Sequence, residues 1–217
     1  MSLNTAKMNM MRQQIHTLGN NDINITNILI DLPRENFVPE EMKALAYADV
    51  EIPLAHGEHM FTPRLEAQIL NAIQTTRSDK VLEIGTGSGH LTAILARLAD
   101  SVVTVDIHED FSTEAKYRLK KHGVYNVRFC TGNASAGWEI DKQYNLIVVN
   151  GALPTLPDTL RNQLTIGGRL FCILGKDESM EGVIITRNSE TQWLSKSYFD
   201  TRVDPIKEAT QPEKFTF

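Results

Sequence analysis

The run Val81-Leu82-Glu83-Ile84-Gly85-Thr86-Gly87-Ser88-Gly89-His90 limits the possible folds of this chain more than any other segment. It predicts a buried strand that ends in a glycine-rich turn, with a helix continuing through Leu91 to Ala99. A strand, a glycine turn and a helix start together let backbone N–H groups approach a small polar ligand closely. The spacing is G-x-G-x-G. The dinucleotide fingerprint G-x-G-x-x-G/A wants a small residue where His90 stands, which disfavours an NAD or nucleotide-sugar enzyme. No Gly-Lys-Ser/Thr follows, so a phosphate-cradling P-loop is excluded. A second signal lies about 20 residues beyond the glycines, the distance at which doubly wound folds set an acid against ribose hydroxyls. There the apolar run Ser101 to Val105 ends on Asp106. The two signals in this order point to a nucleoside-type cofactor without phosphates.

From Lys80 onward the pattern alternates. Strands are expected near 80–84, 101–105, 127–130, 144–150 and 168–174, with helices near 89–99, 110–122 and 156–164. Alternation of this kind predicts an α/β doubly wound Rossmann-like sandwich with a mostly parallel sheet. Gly167-Gly168 reads as a turn before the fifth strand. Strand-like runs at 182–187 and 192–199 flank Asn188-Ser189-Glu190-Thr191 and predict a C-terminal antiparallel hairpin, followed by an irregular tail. Before the core, residues 4–30 carry a helical pattern broken at 18–22, which predicts two short helices as an N-terminal addition. A short helix near 41–46 and another at 64–74 follow. The organisation expected is one domain over 1–217: helices and a loop to 78, a cofactor-binding core over 79–175, and hairpin and tail from 176.

The chain has 217 residues and a net charge of −5, which gives no electrostatic reason to expect nucleic acid. Lys116, Arg118, Lys120 and Lys121 cluster, but among Glu109, Asp110 and Glu114 they read as a solvated helix face. Cys130 and Cys172 each sit in an apolar strand pattern and read as core residues. No apolar run reaches membrane-spanning length and no signal-peptide layout is present, so the cytoplasm is the expected compartment. His56, Glu58 and His59 lie close together, yet without further ligands they predict no metal site.

An acid two residues before G-x-G-x-G resembles motif I of the S-adenosylmethionine-dependent methyltransferases. That ligand carries an ammonium, a carboxylate, a ribose diol and a sulfonium. Glu83 is placed either to organise the loop or to pair with the ammonium. More selective stretches are Pro33-Arg34-Glu35-Asn36-Phe37-Val38-Pro39-Glu40, Ala46-Tyr47-Ala48-Asp49, the 57–63 loop, Gly132-Asn133-Ala134, Gly137-Trp138, the strand 145–150 with Ala152-Leu153-Pro154, and Gln163-Leu164 with Gly167-Gly168-Arg169-Leu170. Over about 30–175 the chain resembles the protein-L-isoaspartate O-methyltransferases. The resemblance implies methylation of the isoaspartyl α-carboxyl in damaged proteins or peptides, with S-adenosyl-L-homocysteine as product.

The same resemblance implies a cofactor site of Glu83, Gly85, Thr86, Gly87, Ser88, Gly89, Asp106, Ile107, Asn133 and Ala134. Asn133 stands where family members commonly carry an aspartate that faces the adenine amino group, and its carbonyl oxygen can also accept from that amine. Trp138 is expected to pack beneath that loop, and His90 either to lie near the cofactor or to face solvent. Family members typically read Gly-Gln-Thr-Ile-Ser-Gln-Pro in the acceptor loop, with the serine hydroxyl near the reacting carboxylate. Alignment on Gly57 and Pro63 puts Phe61 at that serine, His59 at the threonine and Thr62 at the glutamine. His59, Phe61 and Thr62 are therefore the expected acceptor wall. Two other readings stay open: a methyltransferase for another acceptor, and a cofactor-binding module without turnover.

Overall fold

The computed structural model describes residues 2–18, 23–176 and 179–210. Helix α1 (Leu3–Met10) is capped by the Ser2 side chain, which accepts the Thr5 N–H, and it runs on as a π turn and a 3-10 turn to Leu18. Helix α2 (Ile23–Asp31) follows; the break expected between the two helices lies, at 19–22, outside the described residues. The Arg34–Asn36 and Glu40–Leu45 segments form 3-10 turns, each entered from a proline. Two-residue strands β1 (Ile52–Pro53) and β2 (His59–Met60) pair as a small hairpin. Thr62, Pro63 and Gln74 then delimit α3 (Pro63–Ile73). Thr62 accepts the Leu65 N–H, Pro63 fills the first turn, and Gln74 closes the helix in the left-handed region.

The core begins with β3 (Lys80–Ile84), then α4 (His90–Leu98), β4 (Ser101–Asp106), α5 (Glu109–Lys121) and β5 (Val127–Thr131). It continues with β6 (Tyr144–Leu153), α6 (Asp158–Asn162), β7 (Leu164–Lys176), β8 (Ser179–Arg187) and β9 (Trp193–Thr201). The seven-stranded sheet has the order β5-β4-β3-β6-β7-β8-β9. Its first five members are parallel, and β8 and β9 add antiparallel. A doubly wound, mostly parallel sheet with a C-terminal antiparallel pair is therefore observed.

Sheet pleat explains the two cores. Val81, Val102, Leu146, Val148 and Phe171 point to the face covered by the N-terminal helices, α3 and α4. Leu82, Ile84, Ile147, Val149, Leu170 and Cys172 point to the other face, where Leu160 of α6, Tyr144 and Ala134 pack. Each such side chain contributes about 1.5–3 kcal/mol by leaving water. Trp138 packs on this second core, and Cys130 is only partly buried at the edge strand β5.

Three boundaries differ from expectation. The fifth core strand starts at Leu164, and Gly167-Gly168 lies inside it, at φ +80° for Gly167, where the β6–β7 register shifts. Pro157 and the Gln163 carbonyl, which accepts the Tyr144 N–H, confine α6 to 158–162. The tail is not irregular throughout. After β9 the chain folds back, and Pro205 bridges Ala152 at the end of β6.

Candidate functional site

The glycine loop follows β3 at the carboxyl edge of the sheet. Gly85, Gly87 and Gly89 adopt φ +93°, +49° and +83°, in the region that favours glycine. The loop is held from several sides. Asp106 at the end of β4 accepts the Gly87 N–H with Oδ2 and the His108 N–H with Oδ1, both at 2.9 Å. Asn150 in β6 donates to the Gly85 carbonyl at 2.8 Å and to Glu83 at 2.9 Å. Arg118 in α5 donates to the Ser88 carbonyl at 3.1 Å, so one member of the cluster read as solvated reaches the loop.

Glu83 is completely buried. It accepts from the Thr92 and Thr104 hydroxyls at 2.6 and 2.8 Å as well as from Asn150. Burial pushes its carboxyl up to about 7 against the pull of these three hydrogen bonds, and the Asp106 charge adds to the rise. It is not among the residues that line the cavity, and it holds the loop from behind through Asn150. Gly89 also departs from its expected cofactor contact. A Cβ there would lie 2.6 Å from Ala115 Cβ, so this glycine serves the packing of α4 on α5.

A cavity opens above the loop at the carboxyl ends of β3, β4 and β6. Gly85, Thr86, Gly87 and Ser88 form one side. Asp106, Ile107, Asn133 and Ala134 form the next. Asn133 is engaged with protein on both ends of its amide: Oδ1 accepts the Ser135 N–H at 2.8 Å and Nδ2 donates to Glu208 at 2.9 Å.

The opposite wall comes from β2 and the segment after it. His59 and Phe61 line the cavity, and His59 Nδ1 lies 2.7 Å from Asp204 Oδ2. Thr62 does not line it; its hydroxyl is spent on capping α3. His56 and His59 take separate partners. His56 pairs with Asp110 at 2.8 Å and stacks on His108 with ring centroids 3.9 Å apart.

Behind Phe61 lies a buried network that the sequence did not reveal. Arg34 donates to Glu66, to the Phe61 carbonyl and to the Ala46 carbonyl. Glu66 also meets His90 Nδ1 at 2.9 Å, and His90 Nε2 reaches the Leu32 carbonyl at 3.2 Å. Burial drives the Glu66 carboxyl upward, but the Arg34 and His90 charges and hydrogen bonds outweigh it and hold it below the usual value. His90 has no exposed surface, which corrects the solvent-facing option. The other unforeseen element is the strap 203–207. Ala152 donates to the Asp204 carbonyl and Ile206 donates to the Ala152 carbonyl, each at 2.9 Å, and Val203, Asp204 and Lys207 close the cavity. Its only signal in the sequence is an apolar pair, Val203 and Ile206, in a segment otherwise read as tail.

The donor set fits S-adenosylmethionine. Two buried polar atoms of lining residues, Asn150 Oδ1 and His108 Nε2, have no partner among the described residues and can accept from or donate to a ligand. The positive-φ glycine loop offers close backbone approach, and each Asp106 oxygen keeps a lone pair for a diol.

A family model described as "Protein-L-isoaspartate(D-aspartate) O-methyltransferase (PCMT)" matches residues 5–209. The chain belongs to the protein-L-isoaspartate O-methyltransferase family. Protein-L-isoaspartate O-methyltransferase 1 of Rhodopseudomonas palustris is 36% identical over 91% of this chain and 81% of that one. The homologue from Geobacter metallireducens is 34% identical over 88% of each. A Plasmodium falciparum structure of the family, in complex with S-adenosyl-L-homocysteine, superposes with a TM-score of 0.80. It covers 96% of this chain and 99% of its own at 18% identity, which speaks for the fold. Family members are S-adenosylmethionine-dependent protein carboxyl O-methyltransferases, and S-adenosylmethionine is the methyl donor.

Proposed function

We propose that this chain methylates the α-carboxylate of isoaspartyl residues in proteins or peptides. One observation carries the reading. A single cavity has the glycine loop and Asp106 on one side and His59, Phe61 and the strap on the other, so a donor on the loop faces an acceptor on that wall. In this reading Gly85, Thr86, Gly87 and Ser88 seat the polar end of the donor. Asp106 holds the ribose, and Ile107, Asn133 and Ala134 border the base.

Bound S-adenosylmethionine supplies a methyl group made electrophilic by its sulfonium. The chain's own work is positional. An acceptor carboxylate is already ionised at neutral pH, so no general base is needed. Phe61 and Met60 in the loop, with Val203 in the strap, remove water around the acceptor, while polar neighbours hold it in line. Among the described residues no helix is long and apolar enough to cross a membrane, which is compatible with the cytoplasmic setting we infer.

Transfer of labelled methyl to an isoaspartyl peptide, with the aspartyl peptide as control, tests the reading. Transfer to the isoaspartyl form alone supports it, and binding of S-adenosyl-L-homocysteine without transfer overturns it. Phe61 favours a second reading, because its ring lines the wall where the family resemblance implies a serine hydroxyl: the acceptor is then a different carboxylate. Under that reading Phe61→Ser raises transfer to isoaspartyl peptide by about tenfold, the effect of about 1.4 kcal/mol from one regained hydrogen bond. An unchanged rate with donor binding intact removes it.

A further inference from the structure

The wall that faces the acceptor offers few side-chain donors to a carboxylate. Phe61 has no side-chain donor, and its carbonyl is taken by Arg34 at 2.7 Å. The Thr62 hydroxyl accepts the Leu65 N–H and lies off the cavity. Lys207 lines the wall, but its ammonium pairs with Glu58 at 3.1 Å. His108 lines the cavity next to Ile107, on the Asp106 side, and is stacked on His56. His59 remains. Its Nδ1 is 2.7 Å from Asp204 Oδ2, and no described residue takes up Nε2.

We propose that His59, positioned by Asp204, receives the acceptor carboxylate as an imidazolium. The inference rests on the carboxyl-methylation reading above. Asp204 can only accept, so Nδ1 carries the proton that faces it, and the ring donates through Nε2 only as a cation. The charge balance of the wall asks for this cation. Glu51 and Asp204 face His59, and Glu58 with Lys207 forms a balanced pair beside it. Burial and the Asp204 charge push the Glu51 carboxyl up, and His59 pulls it back, so these three groups sense one another. With a neutral His59 the wall would turn two carboxylates toward a third. Protonated, His59 donates through Nε2 while Nδ1 stays on Asp204.

His59 is thus the acceptor-binding residue and Asp204 its positioning residue, delivered by a strap 145 residues further along the chain. Acceptor affinity then rises as pH falls through the imidazole range, until the acceptor itself is protonated.

The test uses the full chain saturated with S-adenosyl-L-homocysteine and a short isoaspartyl peptide, titrated by calorimetry at about pH 6 and about pH 8.5, on either side of the ordinary histidine range. Wild-type protein should bind about tenfold more tightly at the lower pH, a difference of about 1.4 kcal/mol. His59→Gln keeps a donor and loses the charge, so its binding should be weak and flat with pH. Asp204→Asn should raise KM for the peptide with little change in kcat, because it disturbs orientation of the acceptor and not the donor. S-adenosyl-L-homocysteine affinity, measured alone, should be unchanged in both variants and reports their folding. Unaltered peptide affinity in His59→Gln overturns the proposal. So does loss of the pH dependence in Glu51→Gln with His59 intact, or no peptide binding by wild-type protein. Methyl transfer on the same samples separates the two readings. Binding through His59 without transfer sinks the methylation reading alone, and transfer with an unchanged KM in His59→Gln sinks only the role of His59.

Discussion

At the scale of single residues, carboxylates that look alike in sequence do different work. Glu83 and Asp106 both close strands of the glycine-loop region, yet one is sealed behind the loop and the other lines the cavity. Only Asp106 was legible in its position, because a strand-end acid at that spacing is a local pattern. Glu83's seclusion depends on Thr92, Thr104 and Asn150, which come from three different elements, and no local pattern brings them together. Asp106→Ala leaves the Gly87 and His108 N–H groups without their acceptor, each at about 1–3 kcal/mol, so S-adenosyl-L-homocysteine affinity should fall roughly tenfold or more by calorimetry. Arg34 gives a stability counterpart. Arg34→Met leaves the buried Glu66 carboxylate with His90 as its remaining charged partner and should cost about 3–5 kcal/mol in urea denaturation. It also frees the Phe61 carbonyl, which loosens the acceptor wall.

Elements were readable where one short stretch carries the whole signal. The core strands and α3, α4 and α5 all follow from local periodicity and from punctuation such as Thr62-Pro63 and the glycines. The errors came where a distant partner decides. Gln163 is drawn into the sheet by Tyr144 and shortens α6, and Ala152 pulls the strap out of an irregular tail. Thr62 was itself a readable helix cap, the Thr-Pro pair before an amphipathic run, and the alignment to an acceptor loop hid it. Gly89 shows the packing between elements most sharply. Gly89→Ala puts a methyl 2.6 Å from Ala115 Cβ at a φ of +83°, forcing α4 off α5. It should lower stability by about 1–3 kcal/mol, visible as a lower melting temperature.

For the molecule as a whole, these buried charges set opposing slopes of stability with pH. Glu66 and Asp79 are each pushed up by burial but held below ordinary values, Glu66 by Arg34 and His90 and Asp79 chiefly by its hydrogen bond with Arg169. Their contribution is present above the unfolded carboxyl range and is lost as pH falls through the folded values. Glu83 acts in the other direction. Its folded value of about 7 exceeds the ordinary 4.5, so its contribution is complete below about 4.5 and fades as pH rises through 7. The unfolding free energy from urea denaturation should therefore fall between about pH 5 and about pH 8 by roughly 1–3 kcal/mol, and Glu83→Gln should flatten that fall. The folding-back of residues 203–207 also imposes an order in time. Gly85 and the Asp204 that faces it across the cavity are about 120 residues apart, roughly 6–24 s of synthesis at about 5–20 residues per second. A growing chain thus carries its glycine loop, and His59 and Phe61 before it, well before the strap that completes the opposite wall exists. During that interval His59 has no Asp204 to orient it, so on the reading above the acceptor wall is complete only in chains made past Lys207.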